Sequence, residues 1–189
     1  MRRYELLQNL LPVLEPCLVV CNIGIPSQEL KALKDADNHF YMLGSMGLCS
    51  SIGLGLALST EQPVVAIEGD GAVLMNLSTL ATIGNRAPDN YVLLVVDNGS
   101  YGSTGDQVTY TGEQTSLADM ARGAGCRNVV ECNGEDAAAA VQAAIDRREP
   151  SVIVARVEAG NAEAPVIRLH PIVIRERFKA VVAAGMADK

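Results

Sequence analysis

The residues with the clearest chemical meaning form two oxygen-rich clusters, Gly69-Asp70-Gly71 and Asp97-Asn98-Gly99-Ser100. Asp70 sits between glycines and directly before the apolar run "AVLM", where the start of a helix would present unpaired backbone N–H groups. Such amides suit a phosphate, and a neighbouring carboxylate suits the cation that accompanies it. The second cluster adds a carboxylate, a carboxamide oxygen and a glycine that lets adjacent carbonyls turn inward. Singly, each also reads as an ordinary turn, one an acid capping a helix and the other an Asp-Asn-Gly bend after a strand. On neighbouring strands they would converge on one Mg²⁺ carrying a diphosphate, because Mg²⁺ takes one or two carboxylates and fills its octahedron with phosphate oxygens and water.

Both clusters follow short apolar runs, and that pattern extends along the chain. Residues 17–23, 39–43, 63–68, 90–97, 127–132 and 150–157 read as strands. Helical stretches fall at about 3–14, from Pro26 onward, and over 46–59, 72–86, 117–125 and 134–149, with a last helix from Pro171. The alternation predicts a three-layer α/β/α fold with a mostly parallel central sheet, whose ligands sit beyond the carboxyl ends of the strands. The polar segment 98–116 lacks periodicity and is expected outside the core. Within it, Tyr101 and Thr104 are candidates for touching substrate, as parts of a loop that would close over the site.

The 189 residues, 49% hydrophobic with a net charge of -7, fit one domain spanning 1–189 and argue against a nucleic-acid surface. No apolar run approaches the ~18 residues of a membrane span, and "MRRYELLQNLLPVLEP" lacks the apolar centre of a signal peptide, so a cytoplasmic chain is expected. Five cysteines without a CxxC read as buried reduced thiols. His39 and His170, the only histidines, lie before a strand and in a link, and are read as structural or surface residues.

Gly69-Asp70-Gly71, with Asn98 28 positions after Asp70, resembles the motif of the thiamine diphosphate-dependent enzymes. Asp97 stands where many members have asparagine. The resemblance implies a thiamine diphosphate-binding fold and, as cofactors, thiamine diphosphate and Mg²⁺. It implies that Asp70, Asn98 and the Ser100 carbonyl are the metal ligands, with Gly69, Gly71 and Ala72 beside the diphosphate. "YMLGSMGLCSSIGLGLAL" (41–58) is similar to the family's Gly-Ser-apolar-Gly stretch. This implies that Met46, next to Gly44 and Ser45, props the cofactor into a bent shape while the Gly44 carbonyl faces the aminopyrimidine.

In the family a second, pyrimidine-binding module supplies the glutamate that activates the cofactor, and this chain has no second βαβ module. The resemblance therefore implies a separate pyrimidine-binding alpha subunit, a hetero-oligomer, and a catalytic glutamate on the partner chain. The implied reaction is decarboxylation of a small 2-oxo acid. "CNIGIPSQEL", "GDGAVLMNLSTLATIGN" and "DNGSYGSTGDQ" look most like two-chain enzymes whose substrate carries a sulfonate. A phosphonate substrate and acetolactate-like carboligation stay open. So does a non-catalytic nucleotide-binding module, although GxxxxGK[ST] and a G-x-G-x-x-G after a strand are both missing. No Lys/Arg cluster lies near the strand ends, so the acidic end of the substrate is expected to meet the partner or backbone amides.

Overall fold

In a computed structural model, residues 1–187 are described. Eight strands form in chain order: β1 (Leu18–Cys21), β2 (His39–Tyr41), β3 (Val64–Gly69), β4 (Tyr91–Asp97), β5 (Ser100–Tyr101), β6 (Gln107–Val108), β7 (Asn128–Asn133) and β8 (Ser151–Arg156). Six of them make one parallel sheet in the order β2-β1-β3-β4-β8-β7, and β5 and β6 pair separately as a short antiparallel ribbon. From β1 the chain runs first to one side, to β2, then crosses to β3 and β4 on the other. That reversal opens a crevice between the carboxyl ends of β1 and β3, where ligands of such sheets bind.

The helices are α1 (Arg3–Leu14), α2 (Ile25–Leu33), α3 (Cys49–Ala57), α4 (Asp70–Met75), α5 (Ser78–Arg86), α6 (Leu117–Gly123), α7 (Ala137–Arg147) and α8 (Pro171–Ala187). The central strands are buried on both faces, so their side chains alternate between two cores. Ala66, Leu93 and Val95 meet Leu54 of α3, Leu80 of α5 and Ala121 of α6. Val65, Ile67 and Leu94 meet Leu6 and Leu10 of α1, Leu30 of α2 and Val141 of α7. Close approach needs small residues: a Cβ on Gly53 of α3 would lie 2.9 Å from the Cβ of Ala66 in the sheet. At the β2 edge, Phe178 of α8 meets Phe40 edge-on, with ring centroids 5.5 Å apart.

The structure departs from the sequence expectation in two places. The stretch read as one helix over 72–86 is two, α4 and α5, broken at Asn76. The Asn76 side-chain amide donates to the Gly47 carbonyl at 2.9 Å, the Thr79 hydroxyl at 2.7 Å and the Ser51 hydroxyl at 3.2 Å. A short polar side chain that bonds nearby chain in this way competes with the helix ladder. The 98–116 segment, expected outside the core, folds back as the β5–β6 ribbon and a 3₁₀ turn at Tyr110–Gly112, and buries Thr109 and Thr111.

Among the described residues all five cysteines are free and no helix is long and apolar enough to cross a membrane. Burial pushes the Cys17 and Cys21 thiols up to about 12, which leaves them inert. His39 is buried beside Tyr41, and burial lowers its pKa to about 4. His170 is exposed and caps α8, its Nδ1 accepting the Ile172 N–H at 3.3 Å.

Candidate active site

β3 and β4 are neighbours with Gly69 opposite Val96, so Asp70 and Asp97 emerge side by side at the carboxyl edge of the sheet. Their residues are only 2% and 1% exposed. Buried carboxylates need donors. Thr109 and Thr111 provide them: both hydroxyls reach Asp70 Oδ2, Thr111 at 2.8 Å. Thr111 also lies 2.8 Å from Asp97 Oδ1, so its single hydroxyl proton is shared between the two acids. None of these donors bonds Asp70 Oδ1. Burial pushes the Asp97 carboxyl up; the Thr111 hydrogen bond opposes that, the Asp70 charge adds to it, and Arg156 opposes it.

Beyond Asp97 the chain turns tightly. Gly99 N–H donates to Asp97 Oδ1 at 3.2 Å, Ser100 N–H to Asn98 Oδ1 at 3.2 Å, and Thr109 N–H to the Gly99 carbonyl at 2.9 Å. The segment after β6 that carries the two threonines is thereby tied to the Asn98–Ser100 turn.

A cleft enclosing about 700 Å³, solvent included, lies at the β1/β3 crevice. Its walls include Asn22 and Gly24 after β1, Met46, Glu68 to Ala72, Asn98, and Ser100 to Ser103. Asn22 is 5% exposed and its Oδ1 has no hydrogen-bond partner, the mark of a polar atom that awaits a ligand or water. Gly71 leaves room for the Tyr101 ring. A Cβ there would lie 2.2 Å from Cε1 of Tyr101, whose ring covers it.

Of the expected site residues, Met46, Gly69, Asp70, Gly71, Ala72, Asn98, Ser100 and Tyr101 line this one cleft. Gly44 and Ser45 are exposed and border a shallower groove with Phe40, Ile52 and Pro171. Ser45 has φ +61°, a left-handed turn immediately before Met46. Thr104 lies outside the cleft lining, its hydroxyl bonded to the Tyr101 carbonyl at 3.3 Å and to Gln107 Oε1 at 2.9 Å.

Several participants were not singled out from the sequence. Besides Thr109, Thr111 and Arg156, the buried Glu68 carboxylate accepts the N–H groups of Cys49 at 3.2 Å and Ser50 at 2.9 Å, holding the start of α3 behind the Met46 loop. Burial raises its pKa. A cation also lines the cleft, although none was expected there: Arg3 of α1. Its Nε and Nη2 donate to Glu29 of α2 at 2.7 and 3.2 Å, and Nη2 to Asn161 Oδ1 at 2.8 Å. Asn161 in turn donates to the Gly102 carbonyl at 2.8 Å. Glu29 neutralises the guanidinium, so the group clamps α1, α2 and the 157–170 link against the loop after Tyr101.

The donor set here is hard and oxygen-only. Among the described residues no group of three or more His, Cys, Asp or Glu could hold a metal, so a cation at Asp70 would take part of its shell from Asn98, carbonyls and ligand oxygens. That suits Mg²⁺ with a diphosphate and not a tetrahedral zinc site.

The chain is similar to known proteins in both sequence and fold. The family model "Thiamine pyrophosphate enzyme, C-terminal TPP binding domain" matches residues 27–155. Sulfopyruvate decarboxylase beta subunits of Methanocaldococcus jannaschii and Methanococcus maripaludis are 45% and 47% identical, over 87% and 93% of this chain and 88% and 95% of their own length. A phosphonopyruvate decarboxylase of Streptomyces viridochromogenes is 39% identical over 89% of this chain, which spans only 43% of that protein. Among solved structures, the Rhodococcus jostii RHA1 thiamine diphosphate-dependent 4-hydroxybenzoylformate decarboxylase shares the fold, with a TM-score of 0.70 and 17% identity over 86% of this chain and 33% of that one. The chain belongs to the thiamine pyrophosphate enzymes, in one family with the beta subunits of sulfopyruvate decarboxylase.

Proposed function

We propose that this chain is the cofactor-binding subunit of a thiamine diphosphate- and Mg²⁺-dependent decarboxylase that converts sulfopyruvate to sulfoacetaldehyde and carbon dioxide, on the route to coenzyme M. The whole chain acts as one diphosphate-binding domain, in a cytoplasmic hetero-oligomer with a pyrimidine-binding alpha subunit. The observation that carries the reading is the meeting of Asp70, Asn98 and Ser100 in one cleft at the β1/β3 crevice, with Met46 on its wall.

Asp70, Asn98 and the Ser100 carbonyl would hold Mg²⁺, with Gly69, Gly71 and Ala72 beside the diphosphate. Thr109 and Thr111 orient Asp70 by occupying Oδ2. Met46, after Gly44 and Ser45, would support the bent cofactor, and Glu68 braces that loop through the start of α3. When bound, the cofactor supplies a nucleophilic carbon for the 2-oxo group and an electron sink for loss of carbon dioxide. This chain anchors and shapes; the glutamate that activates belongs to the partner.

The test is to copurify the chain with its native partner and measure carbon dioxide release from sulfopyruvate, phosphonopyruvate and pyruvate. Release from sulfopyruvate, abolished in Asp70→Ala together with Mg²⁺-dependent cofactor binding, is the expected result. Asp70→Ala should weaken that binding by about a hundredfold or more. Full activity of the chain without its partner, or normal cofactor affinity in Asp70→Ala, overturns the reading. Preference for phosphonopyruvate, or a carboligation product from pyruvate, reassigns the substrate.

A further inference from the structure

Next to Asp70, Asp97 adds a second buried anion at the carboxyl edge of the sheet. Its counter-charge comes from across the sheet. Asp97 and Arg156 stand opposite each other in the parallel register of β4 and β8, with Arg156 Nη1 3.0 Å from Asp97 Oδ2. Oδ2 has no hydrogen-bond partner, so the ion pair is its contact. Oδ1 is committed to the Gly99 N–H and the Thr111 hydroxyl. The same Nη1 also donates to the Thr111 carbonyl at 3.2 Å. One guanidinium therefore holds both segments that flank Asp70: the turn carrying Asn98 and Ser100, and the threonine segment.

We propose that Asp97 and Arg156 are a charge-compensated pair of positioning residues for the metal-binding turn, Arg156 being needed because residue 97 is an acid. The proposal rests on the reading of Asp70, Asn98 and Ser100 as Mg²⁺ ligands. An asparagine at 97 would accept the same two hydrogen bonds on Oδ1 and carry no charge. An unpaired carboxylate would repel Asp70 through the shared Thr111 and compete with Asn98 for the cation. With Arg156 on Oδ2, the carboxylate behaves as the amide would.

The consequence is that the importance of Arg156 depends on residue 97. The experiment titrates Mg²⁺ against calorimetric thiamine diphosphate binding in the copurified complex, for wild type, Arg156→Gln, Asp97→Asn and the double variant. Arg156→Gln should raise the Mg²⁺ needed for half-maximal binding about tenfold with Asp97 present, and less than about threefold in the Asp97→Asn background. A purely structural role for Arg156 would cost the same in both backgrounds, and that result overturns the proposal. So does an Arg156→Gln variant indistinguishable from wild type. The side chain of Arg156 is 47% exposed, so its replacement leaves the fold intact for the measurement. If wild type itself shows no Mg²⁺-dependent cofactor binding, the reading of the site fails first and the proposal falls with it.

Discussion

Gly71→Ala is the substitution whose effect follows most directly from the packing. The added Cβ would sit 2.2 Å from Tyr101 Cε1 and 2.9 Å from Cδ1 and Cζ. Carbon atoms rest at about 3.5–4.0 Å, so the ring must retreat by more than about 1 Å. The backbone there is held, since the Tyr101 carbonyl accepts the N–H groups of Thr104 and Asp106 at 3.1 and 3.2 Å and the Ser100 N–H reaches Asn98, so the ring retreats only by rotating its own side chain. Overpacking of this kind costs about 1–3 kcal/mol. Gly71 lies in α4 and is not among the residues with positive φ, so alanine recovers up to about 1 kcal/mol of helix propensity. The net expectation is a loss of about 1–2 kcal/mol, a shift of roughly 5–30-fold in the folding equilibrium. Urea unfolding of the full chain, read as a lower midpoint at unchanged slope, measures it. In a Tyr101→Ala background the clash is gone, and Gly71→Ala should then be neutral or stabilising. Equal cost in both backgrounds, or no cost in the first, would refute the packing argument.

Glu29→Ala leaves Arg3 buried without its counter-ion and should cost about 3–5 kcal/mol, most of it recovered when Arg3→Met accompanies it; urea midpoints of the two variants decide. Asn76→Ala removes the side-chain amide's contacts with the Gly47 carbonyl and the Ser51 and Thr79 hydroxyls, and the acceptor of the Ser78 hydroxyl, for about 1–3 kcal/mol, and hydrogen exchange at Leu48 to Ser50 should quicken. His39 has a folded pKa of about 4 against the ordinary 6.5, so the unfolded chain takes up its proton first as pH falls. Its contribution is fully present above pH 6.5 and is lost between 6.5 and about 4, by up to ~3 kcal/mol. Unfolding midpoints from about pH 7 to 4 should therefore fall more steeply in wild type than in His39→Gln, and parallel profiles would remove His39 as the titrating group.

Much of this architecture was legible in the residues alone. The four inner strands β1, β3, β4 and β8 are runs of apolar residues buried on both faces, and the helices between strands carry a 3.6-residue period, so both kinds of element leave a local signature. Asp70 and Asn98 were legible for a related reason. Each directly follows a strand, and the helical crossover of α4 and α5 leads straight into the neighbouring β4, so a single crossover suffices to bring them together. The stretch 98–116 was not legible. Thr109 and Thr111 are buried to satisfy two carboxylates, and a polar residue buried for its hydrogen bond has no periodicity to announce it. The break at Asn76 was hidden likewise, since its partners Gly47 and Ser51 come from another element.

What the amino-acid sequence determined by itself is therefore the chemistry on offer: a parallel α/β sheet with oxygen ligands and glycines at its carboxyl edge. Which charges meet which was decided only by tertiary structure. Arg3, read as the start of a helix, becomes a cation in the cleft wall because α1 packs beside α2 and the 157–170 link. Arg156, read as the end of a strand, becomes the counter-ion of Asp97 because β8 inserts next to β4. Periodicity is a property of near neighbours along the chain, whereas charge compensation depends on the order in which strands line up across the sheet.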